Sequence, residues 1–173
     1  IAESGLGIRA EYGKFSRKQT YFAIPARIAW CLQEMPSFLI AAYFLVKSFE
    51  ESLVTIPIAN RLLLSLFIVH YFNRTFIFPF NIRGGKPTRL LEFICAAMFT
   101  AINGFLQGLC LTQYDEYKIK DIYDLRFITG VVLWIAGFII NLHSDSILRN
   151  LRKPGESGYK IPIGGMFNYV TCA

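Results

Sequence analysis

Hydrophobic residues are concentrated in four long runs, which short polar stretches separate. A helix needs about 17–25 mostly apolar residues to cross a bilayer, and each run is long enough. The predicted spans are residues 24–46, 62–80, 90–112 and 127–148. The pattern therefore predicts an all-α fold, a polytopic transmembrane helix bundle with about four spans in this chain.

None of the four runs is entirely apolar. Charged and hydrogen-bonding groups are costly at membrane depth, so they face the bundle interior or a water-filled cavity, and they are functional candidates by default. The first run contains Gln33 and Glu34, and the later runs add further polar residues. These are His70, Asn73, Arg74, Asn103, Gln107, Asn141 and His143.

The charges between the runs predict an orientation. Thirteen of the eighteen Lys and Arg residues lie before or at the entry to the first span, in the later part of the second span or its connection to the third, or after the fourth. Alternating spans bring these three segments to one face, and the positive-inside rule makes that face cytosolic. Lys86 and Arg152 are thus expected in the cytosol, with Glu50 and Asp121 on the opposite side. Topology alone accounts for most of the basic residues and for the net charge of +6, so no nucleic-acid partner is indicated.

Composition also favours an integral membrane protein, with the lipid bilayer as its partner. Only 17% of the 173 residues are charged, against about 25% in soluble domains. The four Cys residues are spread out and form no metal-binding motif, and phosphate-loop and hydrolase motifs are absent. The chain has neither an initiator Met nor a signal peptide, and it stops after a Gly-Gly turn. We therefore expect part of a longer protein.

Polar and aromatic residues form one cluster in each of the first two spans, and these two clusters suggest a site. Trp30 and Glu34 are four residues apart and share a helix face. The alternative is an interfacial helix end, with Trp at the headgroups and the charges extending toward water. In the second span, Tyr71 and Arg74 are three residues apart on one face. Tyr71 suits either an aromatic belt or a buried phenol that donates a hydrogen bond to a ligand carbonyl.

A third group follows the last span. Asn141, Asp145, Leu148 and Arg152 fall on a single predicted helical stripe. An amide, a carboxylate and a guanidinium in such a stripe can bind a nucleotide, because Arg grips phosphate in bidentate fashion. The alternative is a helix end with an arginine that extends to the interface.

The residues of these groups carry a resemblance to a known family. The segments resemble the steroid 5-alpha-reductase family, also called 3-oxo-5-alpha-steroid 4-dehydrogenase, from about Tyr12 to the last residue and in the family's order. "IRGGKP", "RNLRKPG" and "GYKIP" look closer to the type 1 branch. The longer matching segments are "PARIAWCLQEMPSF", "HYFNRTF", "NGFLQG" and "NLHSDSILRNLRKPGESGYKIPIGGMFNYV".

The resemblance implies a multi-pass enzyme of the endoplasmic reticulum membrane with seven helices. It implies reduction of the C4–C5 double bond of a 3-oxo-4-ene steroid, with NADPH as cofactor and no metal. Residues 1–173 would then form a single partial transmembrane domain that lacks the family's first helix and its C-terminal helices.

Roles for individual residues follow from the same resemblance. Glu34 and Tyr71 would lie beside the steroid 3-ketone as catalytic groups, where negative charge develops on the oxygen. Glu34 would act either as a protonated donor or by orienting Tyr71. Trp30, Gln33 and Phe99 would line the steroid slot. Asn141, Asp145, Arg152 and Tyr159 would hold NADPH.

Two other functions remain open from the sequence. A sister enzyme of the same superfamily would reduce a polyprenol or an enoyl thioester. A truncated membrane fragment would bind sterol or a partner without catalysing a reaction. The "QE" and "HYF" pairs and the "LRKPG" segment favour the steroid branch.

Overall fold

The described part of the chain forms four long apolar helices, as the sequence predicts. The computed structural model describes residues 22–50, 56–152, 156 and 160–171. The candidate membrane spans cover Ala26–Phe49, Ile58–Asn81, Leu90–Tyr114 and Leu125–Asn150. The first begins at Ala26 rather than at residue 24, because Ala23–Ile24 (β1) pairs antiparallel with Thr88–Arg89 (β2) just before it.

The helices within these spans are named in chain order. Helix α1 covers Ala26–Glu50. Helix α2 (Ile58–Phe72) continues through a π-helical turn, Asn73–Ile77, into the short helix α3 (Phe78–Asn81). Helix α4 (Leu90–Leu109) ends in a second π-helical turn, Cys110–Tyr114. A 3₁₀ helix, Ile119–Tyr123, precedes α5 (Leu125–Asn150), and another, Gly165–Asn168, follows it.

Consecutive spans run in opposite directions, so the bundle has two chemically different ends. At one end, Arg27 at the start of α1 donates two hydrogen bonds to the Ile82 carbonyl, over 3.0 and 2.7 Å. Arg83 at the same end donates to Asn150 Oδ1 over 3.3 Å. We call this the basic end. The opposite end carries Asp115 and Asp121, and we call it the acidic end.

Helices α1 and α4 approach each other closely because two glycines of α4 face α1. A Cβ atom on Gly104 would lie 2.7 Å from the Ser37 Cα, and one on Gly108 would lie 2.3 Å from the Phe44 ring. Ser37 Oγ donates to the Thr100 carbonyl over 2.6 Å in the same contact. The close packing of α1 against α4 therefore depends on small residues.

Asn60 joins α2 to the end of the third span. Its Nδ2 donates to the carbonyls of Leu111 and Asp115 over 2.9 and 2.6 Å, and its Oδ1 accepts from the Tyr117 amide over 3.1 Å. These carbonyls become free for a side-chain donor where the helix ends. One buried amide thus fixes the chain at the acidic end.

Helix α5 is the most exposed of the four spans. None of its 18-residue apolar window is buried within the described part of the chain. It contacts the second span through Phe138, whose ring lies 6.2 Å from the His70 ring. Further along, Asp145 of α5 pairs with Arg74. The site is assembled along this contact.

Candidate active site in the basic half of the bundle

Tyr71 is buried near the middle of the bundle. Its side chain packs on Phe67, with 4.6 Å between ring centroids, and Tyr71 is 9% exposed. The Tyr71 oxygen accepts a hydrogen bond from Asn103 Nδ2 of α4 over 2.8 Å. A phenol oxygen that accepts one hydrogen bond still has its own hydrogen to donate. Tyr71 is therefore held as a donor for a further acceptor.

Glu34 of α1 faces Arg74 of the second span. The two charges lie close enough to interact, and the Gln33 side chain also contacts the Glu34 carboxyl. The Arg74 guanidinium lies 5.1 Å from the Trp30 ring. The prediction that Trp30 and Glu34 share a helix face is confirmed, because α1 is helical across both residues and they are four positions apart. Within the part of the chain that the structure describes, no hydrogen bond joins Glu34 to Tyr71.

The other two residues predicted for the steroid slot differ in exposure. Gln33 is 8% exposed, and its carbonyl accepts a hydrogen bond from the Thr100 hydroxyl. Phe99 is 66% exposed, one turn before Asn103 on α4. Its ring therefore faces the open side of the bundle, on the face that carries Asn103.

Two of the residues predicted to hold the cofactor lie together on α5. Asp145 Oδ2 accepts from Arg74 Nη1 over 3.0 Å. Asn141, one turn earlier, has a buried Oδ1 with no hydrogen-bond partner among the residues that the structure describes. A buried amide oxygen without a partner is uncommon in folded proteins and requires an explanation. A bound ligand is one such explanation.

The predicted stripe does not continue to Arg152. Helix α5 ends at Asn150, and Arg152 is exposed beyond it. Pro154 contributes to this end, because it has no backbone N–H to donate to the carbonyl four residues earlier, that of Asn150. The helical stripe therefore stops at Leu148, and that part of the prediction is wrong. Tyr159 lies outside the described residues.

Two cavities lie side by side between the second span and α5 at the basic end. They have volumes of about 360 and 570 Å³ and share Asn81, Arg83 and Arg149 in their walls. Asn73 and Asp145 line the first, and Arg27 lines the second. The first thus lies beside the predicted cofactor residue Asp145, and the second has three arginines suited to anionic groups.

Arg74 and Asn103 are the site residues to which sequence reasoning gave no role. Arg74 was noted only for sharing a face with Tyr71, and its partner Asp145 is 71 positions away in the chain. Asn103 was noted only as a polar residue within a span. The available signal was the same for both, a polar side chain inside an apolar helix.

The chain is similar to proteins of one family. The family described as 3-oxo-5-alpha-steroid 4-dehydrogenase matches residues 86–173. The 3-oxo-5-alpha-steroid 4-dehydrogenase 1 of Mus musculus is 46% identical over 166 residues, which cover 96% of this chain and 64% of that protein. The corresponding protein of Homo sapiens is 46% identical, with 94% and 62% covered.

The type 2 protein is similar to the same extent. The 3-oxo-5-alpha-steroid 4-dehydrogenase 2 of Sus scrofa is 46% identical, and the match covers 94% of this chain and 63% of that protein. The chain therefore spans less than two thirds of the length of these relatives.

Proposed function

Because the chain belongs to the 3-oxo-5-alpha-steroid 4-dehydrogenase family, we propose that the protein containing it reduces the C4–C5 double bond of 3-oxo-4-ene steroids, with NADPH as the cofactor. The family is one of steroid oxidoreductases, and the four apolar helices make this chain part of a multi-pass membrane protein. The endoplasmic reticulum, with the basic end in the cytosol, is the location we propose for it.

The observation that carries the proposal is the hydroxyl of the buried Tyr71. Reduction of the double bond places negative charge on the steroid 3-oxygen as C5 gains a hydride. A donor that is already oriented toward that oxygen stabilises the charge without reorganisation. Asn103 donates to the Tyr71 oxygen over 2.8 Å and thereby leaves the phenol hydrogen available to the ketone.

Glu34 is proposed as the second group at the ketone. Its carboxyl lies in the first span, beside the Gln33 side chain and within electrostatic range of Arg74. It acts either as a protonated donor or by orienting Tyr71, as in the sequence-based interpretation. The adjacent α1 and α4 surfaces, with Trp30, Gln33 and Phe99, are proposed to line the steroid.

The polar residues beside Asp145 fit a dinucleotide cofactor. Asn141 Oδ1 and Asn73 Nδ2 are buried without hydrogen-bond partners, which gives an acceptor and a donor in one region. Arg83 and Arg149 in the cavity walls suit phosphate groups. NADPH supplies the hydride when bound. Asn141, Asp145, Arg152 and Tyr159 are proposed to bind it, together with Asn73.

The test uses the full-length protein in membranes, with NADPH and a panel of candidate substrates. Product is identified by mass spectrometry, with testosterone and progesterone beside a polyprenol and an enoyl thioester. We expect a 5-alpha-3-oxosteroid from the steroids alone. The matched variants are Tyr71→Phe and Tyr123→Phe, since Tyr123 is 81% exposed at the acidic end. Only Tyr71→Phe should abolish product.

Each alternative has its own outcome in this panel. Reduction of the polyprenol or thioester, but not of a steroid, would assign the chain to a sister activity. Steroid binding without oxidation of NADPH would indicate a non-catalytic sterol-binding protein. Either result contradicts the proposed reaction.

A further inference from the structure

Arg74 lies where three spans meet. Its Nη1 donates to Asp145 Oδ2 of α5 over 3.0 Å, and the two side chains are only 17% and 19% exposed. Its charge also interacts with Glu34 of α1. A guanidinium cannot be deprotonated in proteins. One permanent positive charge therefore lies between a carboxyl of the proposed ketone site and a carboxyl of the proposed cofactor site.

Two aromatic rings lie against this guanidinium. The Arg74 Cζ lies 4.1 Å from the Phe78 ring centroid and 5.1 Å from that of Trp30. The two rings also meet edge to face, with 5.1 Å between their centroids. Arginine stacks and donates in one plane, whereas lysine is a point charge on a flexible stem. A lysine could not make these ring contacts and the hydrogen bond to Asp145 in the same way, so the position favours arginine over lysine.

The backbone around Arg74 is specialised as well. The residue belongs to the π-helical turn Asn73–Ile77, which interrupts an otherwise α-helical span. Such π turns are rare and are frequent at functional sites. The neighbouring Asn73 Nδ2 and Thr75 Oγ1 are buried without hydrogen-bond partners in this turn. A turn used only for packing would be expected to satisfy these groups.

One positive charge serves two carboxyls, so a change at one of them affects the other. When a ligand binds the Asp145 carboxyl, this carboxyl neutralises less of the Arg74 charge. More of that charge is then available to attract the Glu34 carboxyl. We infer that Arg74 is a positioning residue that couples cofactor binding at Asp145 to the placement of Glu34 at the steroid ketone. This inference rests on the proposed function.

The test compares variants of the full-length protein for NADPH affinity, steroid affinity and kcat. Arg74→Gln should lower kcat by about a hundredfold and weaken NADPH binding about tenfold. Steroid affinity without NADPH should change little. Arg74→Lys should recover part of the lost kcat, because it keeps the charge without the planar contacts.

Arg61 provides the matched control on the same span. Its guanidinium lies 4.3 Å from the Phe49 ring and donates to the Ser48 carbonyl over 3.1 Å, toward the acidic end. Arg61→Gln thus removes a cation–π contact, as Arg74→Gln does, and a hydrogen bond to a backbone carbonyl instead of an ion pair. It should lower thermal stability and leave kcat within about threefold of the wild type, as expected for packing alone.

A double-mutant cycle separates coupling from general damage. If Arg74 acts on NADPH through Asp145, Arg74→Gln should weaken NADPH binding less in an Asp145→Asn background than in the wild type. Independent, multiplying effects would overturn the inference. So would a folded Arg74→Gln enzyme with normal kcat.

Two further outcomes are a variant that does not fold and a wild-type protein that reduces no steroid. If Arg74→Gln does not fold, Arg74→Lys carries the same test, and a wild-type kcat for Arg74→Lys would overturn the inference. The cycle on NADPH affinity needs no turnover. A wild-type protein that binds NADPH but reduces no steroid would contradict the proposed function. The double-mutant cycle would still show whether Arg74 and Asp145 are coupled in NADPH binding.

Discussion

Asn60 and Asn73 lie on the same span, and their surroundings differ sharply. Both are buried, with exposures of 1% and 4%. Asn60 makes three hydrogen bonds to the backbone at the acidic end. Asn73, in the π turn of the basic half, has no partner for its Nδ2. An unsatisfied buried donor costs about 1–3 kcal/mol, so the two residues point to different roles.

The same contrast extends beyond the two asparagines. Thr75, Asn141 and Ser144 of the basic half each have a buried side-chain oxygen without a partner. Arg61 Nε is the exception toward the acidic end, although its Nη2 donates to the Ser48 carbonyl. Polar groups at the acidic end mainly join helices. We interpret the unsatisfied groups of the basic half as ligand-binding groups.

The largest expected effect concerns the proposed ketone site. In full-length enzyme, Glu34→Gln and Tyr71→Phe should each lower kcat by about a hundredfold or more, because each removes a group that stabilises the developing oxyanion. The double variant should lose far less than the product of the two, since groups that act together are non-additive. Steady-state kinetics on folded protein measure this. Near-normal turnover in either single variant would rule out the pairing.

Sequence reasoning predicted the four spans and the shared face of Trp30 and Glu34, because apolar run length and helical spacing are local properties. It placed the helix stop at Pro154 and so extended the α5 stripe to Arg152, whereas α5 ends at Asn150. The pairing of Arg74 with Asp145 joins residues 71 positions apart, and the π turn departs from the 3.6-residue period. Neither feature is encoded in a local pattern.

The second prediction asks whether the cofactor region extends past the end of α5. Arg152→Ala in full-length protein should weaken NADPH binding ten- to a hundredfold, because a charge-assisted hydrogen bond contributes about 1.5–3 kcal/mol. Steroid affinity should change little. Fluorescence titration with NADPH provides the measurement. Unchanged NADPH affinity would contradict a role in cofactor binding and would indicate that Arg152 is an arginine at the membrane interface.

The third prediction concerns the acidic end. Asn60→Ala should lower the free energy of unfolding by about 1–3 kcal/mol, because it leaves the Leu111 carbonyl and the Tyr117 amide without their partner. The control is Gln113→Ala, since Gln113 is exposed in the adjacent π turn. Thermal unfolding in detergent compares the two. Equal stability of both variants would show that the Asn60 hydrogen bonds do not hold this end together.

The fourth prediction concerns topology and assigns the basic and acidic ends of the bundle to opposite sides of the membrane. Single cysteines at positions 86 and 121, in a background without the four native Cys residues, should react from opposite sides of sealed microsomes. Position 86 should react from the cytosolic side, as the distribution of basic residues predicts. Reaction of both from one side would contradict the alternating spans.

The stabilisation of the full-length protein by NADPH tests the contrast between the two ends most directly. A ligand that binds the folded state raises the melting temperature according to its affinity. NADPH should raise the Tm of Asn60→Ala as much as that of the wild type, from a lower starting value. NADPH should raise the Tm of Asn73→Ala distinctly less. We expect this variant to bind NADPH about tenfold more weakly, which removes about 1.4 kcal/mol of stabilisation. Equal shifts in all three proteins would contradict the assignment of the unsatisfied groups to the cofactor.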